Sequence, residues 1–313
     1  MEKIGFLFPG QGAQYIGMGK ELYDNFPVCR HIYEEANESL HRNLTDLIFY
    51  GSKEELDLTK NTQPAIVTMS IAALQAISEY GIKAEAVAGL SLGEYSALTS
   101  SGVFSVSEVV PLVQKRGVFM QEAVPEGKGK MSAVLGLSQD KIREACEEAK
   151  EFGIVEAANF NCPGQIVIGG EIKAVEEAVK LCKEKGALRI VDLAVSAPFH
   201  TSMLKPAADK LKQELESMRL GEMNIPVVSN VEGDFIKSIN DVKELLYLQV
   251  MSSVLWEQSI RRMIEAGITN FVEIGPGRIL SGFVKKIDRG LCIYNVENLA
   301  SLEATAKALT KGS

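Results

Sequence analysis

The chain has 313 residues, of which 46% are apolar and 24% are charged, and its formal net charge is -8. This length and composition are typical of a globular protein with one large domain and an insertion, or with two domains. The acidic balance argues against a general nucleic-acid-binding protein, because recognition of a polyphosphate depends on a basic surface.

The cysteines and the amino-terminal apolar run indicate a cytoplasmic protein. The five cysteines are widely spaced and form neither a C-x-x-C pair nor a zinc-like pattern, which favours a reducing compartment and predicts no metal site. The apolar run at residues 4–8 is too short for a signal peptide or a membrane span. We therefore expect no membrane partner.

The first part of the chain predicts strands that alternate with helices. Residues 3–9 form a short apolar run that ends at Pro9 and Gly10, which is typical of a buried strand. The other predicted elements before residue 128 are helices at 17–40 and 62–81, a strand at 84–90, and helices at 93–102 and 106–123.

The middle of the chain predicts a separate small subdomain. A Gly- and Lys-rich stretch at 124–130 marks its start. The elements that follow are a strand at 131–137, a helix at 138–151, strands at 154–160 and 165–170, a helix at 171–186 and a strand at 187–193. The order β-α-β-β-α-β predicts a ferredoxin-like arrangement over residues 128–194.

The last part of the chain returns to longer helices and adds apolar strands at 225–230 and 270–277. These strands are predicted to complete the sheet that begins at the amino terminus. The predicted architecture is therefore α/β, with a large subdomain formed by residues 1–127 and 195–313 and an inserted subdomain at 128–194.

A serine between glycines marks the candidate active site. Gly89-Leu90-Ser91-Leu92-Gly93 fits the pattern G-x-S-x-G, with a predicted strand before it and a predicted helix after it. Such a turn lifts the serine hydroxyl to a helix amino terminus, where backbone N–H groups stabilise an oxyanion. The alternative is a simple turn serine or helix cap.

A serine nucleophile needs a base, and the histidines offer few candidates. His31 and His41 lie in a charged helical stretch, which is typical of solvated side chains. His200 lies in VSAPFHTSML, where a loop that contains proline leads into a helix, and it is the candidate base. Asp192 is close in sequence, but no acid clearly completes a triad, and a carbonyl could orient the ring instead.

Several motifs together resemble the malonyl-CoA:acyl-carrier-protein transacylases of fatty acid synthesis and the related acyltransferase domains of polyketide synthases. They run in the family's order across nearly the whole chain: FLFPGQGAQYIGMG, TQPA, GLSLGEYSAL, RGVFMQEA, NCPGQIVIGG, APFH, QVMSSVLW and EIGPGRIL. The resemblance implies a large subdomain that is α/β-hydrolase-like, with a parallel sheet.

The resemblance also implies catalytic roles. Ser91 is the acylated nucleophile, and His200 is its general base and later acid. A carbonyl of Gln249 orients the histidine, and the backbone N–H groups of Gln11 and Leu92 form the oxyanion hole.

The resemblance further implies a set of substrate-binding residues. Arg116 matches the arginine that holds the malonyl carboxylate, and a guanidinium suits this role because it donates two parallel hydrogen bonds. Phe199 matches a bulky ring that accompanies malonyl rather than methylmalonyl substrates, although core packing would also explain it. Asn161 and Gln165 match residues near the acyl-thioester channel, for which a turn role is the alternative.

One residue departs from the family pattern. Leu90 stands where the family usually has a histidine, directly before the nucleophile. Because the residue at that position is not the base, we expect the protein to fold and to catalyse the reaction. The change is expected to affect only the fine tuning of the pocket.

These roles predict a malonyltransferase that works by a ping-pong mechanism through a malonyl-serine and needs no cofactor. Its expected partners are malonyl-CoA and an acyl carrier protein, and the protein is expected to be a monomer. Carrier proteins are acidic, so a local basic patch is expected near the site. The candidates are Lys185, Arg189, Lys285 and Lys286.

Four other functions stay open at this point. They are a discrete acyltransferase that serves a polyketide synthase, a serine thioesterase, a non-catalytic docking module and a nucleotide-binding protein. The last is disfavoured because the G-x-G-x-x-G pattern fails at Tyr15.

Overall fold

A computed structural model describes residues 3–125, 127–193, 195 and 197–310. The strands, in chain order, are β1 (Lys3–Phe8), β2 (Ala86–Gly89), β3 (Gly129–Leu135), β4 (Val155–Cys162), β5 (Gln165–Glu171), β6 (Arg189–Asp192), β7 (Val227–Val228), β8 (Ile268–Ile274) and β9 (Cys292–Val296). The α-helices are α1 (Lys20–Asn25), α2 (Pro27–Leu40), α3 (Leu44–Tyr50), α4 (Lys53–Leu56), α5 (Thr59–Ser78), α6 (Gly93–Ser101), α7 (Val106–Ala123), α8 (Gln139–Glu148), α9 (Ile172–Glu184), α10 (Lys205–Ser217), α11 (Val242–Met251), α12 (Trp256–Glu265), α13 (Ile279–Ile287) and α14 (Leu299–Thr310).

A parallel sheet with strand order β7-β2-β1-β8-β9 forms the centre of the large subdomain. Its central strand β1 is apolar on both faces because helices cover both. Phe6 and Phe8 pack in one core cluster, and Leu7 packs in another with Trp256 and Phe271. The segments that follow β1, β2 and β7 therefore meet at the carboxyl edge of the sheet.

The second sheet is antiparallel, with strand order β4-β5-β3-β6. Helices α8 and α9 cover one face, where Val134 and Ile168 pack with Ile142 and Val175. The predicted fold class is confirmed, because this strand order is the one that a β-α-β-β-α-β chain forms when each helix crosses over one strand. The predicted division of the chain stays a prediction, and residue 194 at one boundary lies outside the described residues.

Several element boundaries differ from the sequence prediction. The helix predicted at 17–40 is broken at Phe26 (φ -121°, ψ 114°), because Pro27 disfavours a helical conformation in the residue before it. The helix predicted from residue 62 already begins at Thr59 and contains Pro64. The short, partly exposed edge strand β9 was not predicted, although the apolar run at 291–294 was a signal for it.

Among the described residues, no helix combines the length and the apolar character that crossing a membrane requires.

Candidate active site

Ser91 lies on a sharp turn between β2 and α6, and its backbone has the unusual φ of 53°. Both flanking glycines are needed. A Cβ on Gly89 would lie 1.9 Å from the backbone of Gly93, and a Cβ on Gly93 would lie 2.0 Å from the carbonyl oxygen of Phe8. The turn therefore has the strained strand-to-helix geometry that exposes a nucleophile.

Asn230 holds this turn from outside it. The Ser91 N–H donates to Asn230 Oδ1 at 2.6 Å, and Asn230 Nδ2 donates to the carbonyl of Gly89 at 2.7 Å. One buried amide thus satisfies two backbone groups of the turn. Sequence reasoning missed Asn230, although a polar residue after a buried strand, at the carboxyl edge of a parallel sheet, is a recognisable signal.

The predicted nucleophile and base are in contact. Ser91 Oγ lies 2.6 Å from His200 Nε2, and His200 Nδ1 lies 2.8 Å from the carbonyl oxygen of Gln249. A carbonyl only accepts, so Nδ1 carries the hydrogen and Nε2 has a lone pair for the serine proton. His31 and His41, in contrast, are exposed.

Asp192 has no part in this contact. Its carboxylate accepts from Ser132 Oγ at 2.7 Å and pairs with Lys130 Nζ at 2.9 Å. The group that orients the imidazole is the backbone carbonyl of Gln249 in α11.

The environment keeps His200 neutral. Burial, reinforced by the positive charge of Arg116, lowers the pKa of His200 to about 4, although hydrogen bonds to the backbone of Gln249 and Ser252 oppose this shift. Its imidazole is therefore free to accept a proton at neutral pH.

Arg116 is almost fully buried on α7, next to the nucleophile. Its Nη2 lies 3.3 Å from Ser91 Oγ and 3.1 Å from Gln249 Oε1, and its Nη1 donates to Gln63 Oε1 at 2.9 Å. The guanidinium also lies over the ring of Tyr95, 5.3 Å from the centroid. A fixed cation beside the nucleophile suits a substrate with a free carboxylate.

Glu94 and Gln63 were missed by sequence reasoning. Glu94 is fully buried, and its Oε2 accepts from Gln249 Nε2 at 2.6 Å. Burial raises its pKa to about 7, while the hydrogen bond from Gln249 opposes that rise. The available signal for Glu94 was a lone carboxylate in the short α6, which otherwise holds uncharged residues. Gln63 lies in the quoted TQPA motif but was not singled out.

The predicted oxyanion donors lie on the two loops that meet at the carboxyl edge. Leu92 directly precedes α6, at the positive end of the helix dipole. Gln11 follows β1 and lines the same cavity as Ser91, and its side chain lies 3.4 Å from Thr59 Oγ1.

A cavity of about 280 Å³ opens at Ser91, between the two sheets. Each of the predicted substrate-binding residues lines it, namely Arg116, Phe199, Asn161 and Gln165. Leu90, at the position that departs from the family, also lines it, as do Ile279 and Phe283 of α13. The cavity is mostly apolar with a few convergent polar groups, as is typical of small-molecule sites.

The candidate basic residues are not all at this cavity. Lys286 Nζ lies 3.4 Å from Gln165, at the cavity lining, whereas Lys185 is paired with Glu144 and Glu148 beside the helices of the second sheet. Arg189 and Lys285 are exposed.

Known proteins are similar to this chain over nearly its whole length. The family model of the acyl transferase domain matches residues 5–296. The malonyl CoA-acyl carrier protein transacylase of Bacillus subtilis is 48% identical over 310 residues, which cover 99% of this chain and 98% of that protein.

Solved structures are similar over the same length. The malonyl CoA-acyl carrier protein transacylase of Clostridium perfringens has a TM-score of 0.96 at 48% identity, over 99% of this chain and 98% of that one. A malonyl-transacylase in complex with a type II polyketide synthase acyl-carrier protein has a TM-score of 0.95 at 41% identity, over 98% of this chain and 99% of that one.

Proposed function

Because this chain belongs to the acyl transferase family and, within it, to the malonyl-CoA:acyl-carrier-protein transacylases, we propose that it transfers malonyl groups from malonyl-CoA to an acyl carrier protein for fatty acid synthesis. The observation that carries this proposal is that the base and the carboxylate-binding arginine both contact the hydroxyl oxygen of Ser91. Ser91 Oγ lies 2.6 Å from His200 Nε2 and 3.3 Å from Arg116 Nη2. A nucleophile, its base and a partner for a carboxylate are thus assembled together.

The first step acylates the serine. Ser91 Oγ attacks the thioester carbonyl as His200 Nε2 takes its proton, and the negative charge that forms is stabilised by the N–H groups of Gln11 and Leu92. The C–S bond then breaks, and His200 returns the proton to the departing sulfur of CoA. The products are malonyl-Ser91 and free CoA.

The second step reverses these roles with a new thiol. The phosphopantetheine thiol of the carrier protein loses its proton to His200 and attacks the malonyl-serine ester. The serine oxygen leaves and recovers the proton from His200, which restores the free enzyme. The thioester supplies the acyl group and each proton returns, so we propose that the reaction needs no cofactor.

Arg116 and Phe199 are proposed to select the acyl group. The guanidinium binds the malonyl carboxylate by two charge-assisted hydrogen bonds, each contributing roughly 1.5 to 3 kcal/mol. The ring of Phe199 lines the cavity and limits the space for a methyl branch.

The carrier protein is proposed to dock near Lys286, whose Nζ lies 3.4 Å from Oε1 of the cavity-lining Gln165. A carrier protein of polyketide synthesis is the second candidate, because one similar structure holds a malonyl-transacylase with such a partner. Cytoplasmic location and a monomeric state stay predictions.

The test is release of CoA from malonyl-CoA, followed with and without carrier protein. We expect about one equivalent of CoA per enzyme without carrier protein and sustained release after its addition, with parallel double-reciprocal plots. Sustained release without carrier protein would instead identify a thioesterase. Carrier proteins from fatty acid and polyketide synthesis, compared by kcat/KM, distinguish the two candidate partners.

A further inference from the structure

Glu94 is buried behind the active site and does not line the cavity. Its Oε2 lies 2.6 Å from Gln249 Nε2 and 3.4 Å from the backbone N–H of Asn230. Its Oε1 has no hydrogen-bond partner among the described residues. Glu94 forms no ion pair among the described residues, although the positive charge of Arg116 favours its ionised form. Burying a carboxylate in this way is costly, so its presence calls for a specific role.

Gln249 is the residue through which Glu94 reaches the chemistry. Its backbone carbonyl accepts from His200 Nδ1 at 2.8 Å, and its Oε1 accepts from Arg116 Nη2 at 3.1 Å. Its Nε2 donates to Glu94 and also to the carbonyl oxygen of Ser91, at 2.9 Å. One glutamine therefore contacts the base, the carboxylate-binding arginine and the backbone of the nucleophile.

The amide of Gln249 has two orientations that differ by exchange of its oxygen and nitrogen. In the observed orientation the NH₂ group faces two acceptors, on Glu94 and Ser91, while the oxygen faces the guanidinium of Arg116. The exchanged orientation would place an NH₂ group against the guanidinium donors and an oxygen against a carboxylate. Glu94 supplies the shorter of the two contacts to this NH₂ group, and it therefore strengthens the preference for the orientation that holds Arg116.

We propose that Glu94 is a positioning residue for acyl transfer, which fixes the side-chain amide of Gln249 so that its oxygen holds Arg116, while the backbone carbonyl of the same residue holds His200. This inference rests on the proposed function. Glu94 acts as a hydrogen-bond acceptor, and it touches neither the substrate nor the reacting atoms.

Two substitutions with side chains of similar length distinguish the role of Glu94 as a hydrogen-bond acceptor from its role in filling space. Glu94→Gln keeps a carbonyl oxygen for Gln249 Nε2, whereas Glu94→Met removes the acceptor. The readout is single-turnover acylation of Ser91 by malonyl-CoA and by acetyl-CoA, quenched and measured by mass spectrometry.

We expect Glu94→Met to slow malonyl acylation by about 10²-fold and to lower the malonyl-to-acetyl rate ratio, because small misplacements of catalytic groups have effects of that size. Glu94→Gln should retain the ratio and lose less than about tenfold in rate, since the acceptor remains. Equal losses in the two variants, or an unchanged ratio in Glu94→Met, would overturn the proposal.

A double-variant cycle tests whether Glu94 acts through Gln249. Gln249→Met keeps the backbone carbonyl and removes the amide, so it should lower the ratio as Glu94→Met does. The double variant should be no slower than Gln249→Met alone, because the effects of substituting two residues that act through one contact are not additive. Losses that multiply would contradict the proposal.

Folding of each variant is checked by circular dichroism and Tm. If Glu94→Met fails to fold, Glu94→Gln and Gln249→Met decide, and the inference fails if the first loses the ratio or the second keeps it. The unsubstituted protein distinguishes failure of the proposed function from failure of the role of Glu94. If it forms no malonyl-serine, the proposed function fails. If it is acylated and the variants have unaltered rates and ratios, only the role of Glu94 is rejected.

Discussion

The imidazole of His200 and the guanidinium of Arg116 both lie at Ser91 Oγ, and the guanidinium alters what the imidazole can do. The positive charge of Arg116 disfavours a second cation beside it, so His200 stays neutral and able to accept a proton. The same guanidinium lies 3.3 Å from Ser91 Oγ, where a carboxylated acyl group would be held. Base strength and substrate choice therefore depend on the same pair.

The pH dependence of kcat/KM follows from this pairing. The folded pKa of His200 is about 4, below the ordinary value of 6.5, so the base should stay active until the pH falls towards 4. The same shift makes the contribution of His200 to folding stability full above about pH 6.5, with loss as the pH falls through about 4. Because burial raises the pKa of Glu94 to about 7, the Glu94→Gln variant is the control. An acid limb of kcat/KM near pH 6.5 that persists in this variant, in a protein shown to be folded there, would contradict the assignment.

Arg116 should determine selectivity for malonyl groups. Arg116→Ala removes the partner of the carboxylate, so malonyl transfer should fall by about 10²-fold or more while acetyl transfer holds or rises. Arg116→Lys is the matched control and should recover part of the loss, because an ammonium keeps the charge without the planar pair of donors. Rates with both acyl-CoA substrates give the result, and an equal loss of both would defeat the assignment.

At this scale the sequence predicts the residues that a local pattern marks. Ser91 was found from its glycines, and His200 was found because few histidines compete. Asn230, Glu94 and Gln63 were missed because their roles depend on partners 139, 155 and 53 residues away, at Ser91, Gln249 and Arg116 respectively. A local signal, such as a polar residue after a buried strand, can mark a candidate residue, but it does not reveal a partner so far along the chain.

Elements position the nucleophile through close backbone contact. The turn between β2 and α6 brings Gly89 against Gly93, and Gly93 against the end of β1. The nucleophile is therefore fixed by two strands and a helix, and the side chain of Asn230 closes the turn from the end of β7.

Gly89→Ala tests this contact. Its Cβ would lie 1.9 Å from backbone atoms of Gly93, so the turn must open, with loss of at least about tenfold in activity and roughly 1–3 kcal/mol in unfolding free energy. Gly282→Ala on α13 is the control, since nothing lies within 4 Å of its Cβ, and it should be neutral or slightly stabilising. Thermal melts and acylation rates are the measurements, and equal behaviour of the two variants would contradict the assigned geometry.

The elements themselves were predictable where periodicity was strong. Helix α7 has the predicted bounds of 106 and 123, and the strands that flank Ser91 and Pro9 were recognised from short apolar runs. The break before Pro27 was missed because helical spacing continues across it, although the proline itself was a signal. Strand β9, which pairs with β8 at the edge of the sheet, was also missed, although the apolar run at 291–294 was a signal for it.

At the scale of the whole molecule, the cavity exists because the second sheet lies over the carboxyl edge of the parallel sheet, so that Met131 and Val167 line it together with Ser91. The order of the second sheet follows from its β-α-β-β-α-β sequence, so it could be predicted. Its placement over the carboxyl edge of the parallel sheet could not, because that depends on packing between segments such as Met131 and Phe199 that are distant in sequence.

The charge distribution bears on the carrier protein. The whole chain is acidic, yet the exposed Lys286 contacts Gln165, which lines the cavity. Lys286→Glu should raise the KM for carrier protein about fivefold, more at low salt, without slowing acylation by malonyl-CoA, because an exposed ion pair contributes up to about 1 kcal/mol.

Lys83→Glu is the control for this substitution. Lys83 is exposed and precedes β2, at the opposite edge of the sheet from Ser91. Lys83→Glu changes the net charge as much as Lys286→Glu does, and it should leave both the acylation of Ser91 and the transfer to carrier protein unaltered. A similar rise in KM for both variants would mean that only the net charge matters.

The central claim is that Ser91 becomes malonylated, and the intact mass of the protein after brief mixing with malonyl-CoA tests it most directly. We expect a gain of one malonyl group, mapped by peptide analysis to Ser91 and absent from Ser91→Ala. An adduct of equal yield in Ser91→Ala, or one mapped to another residue, would contradict the claim.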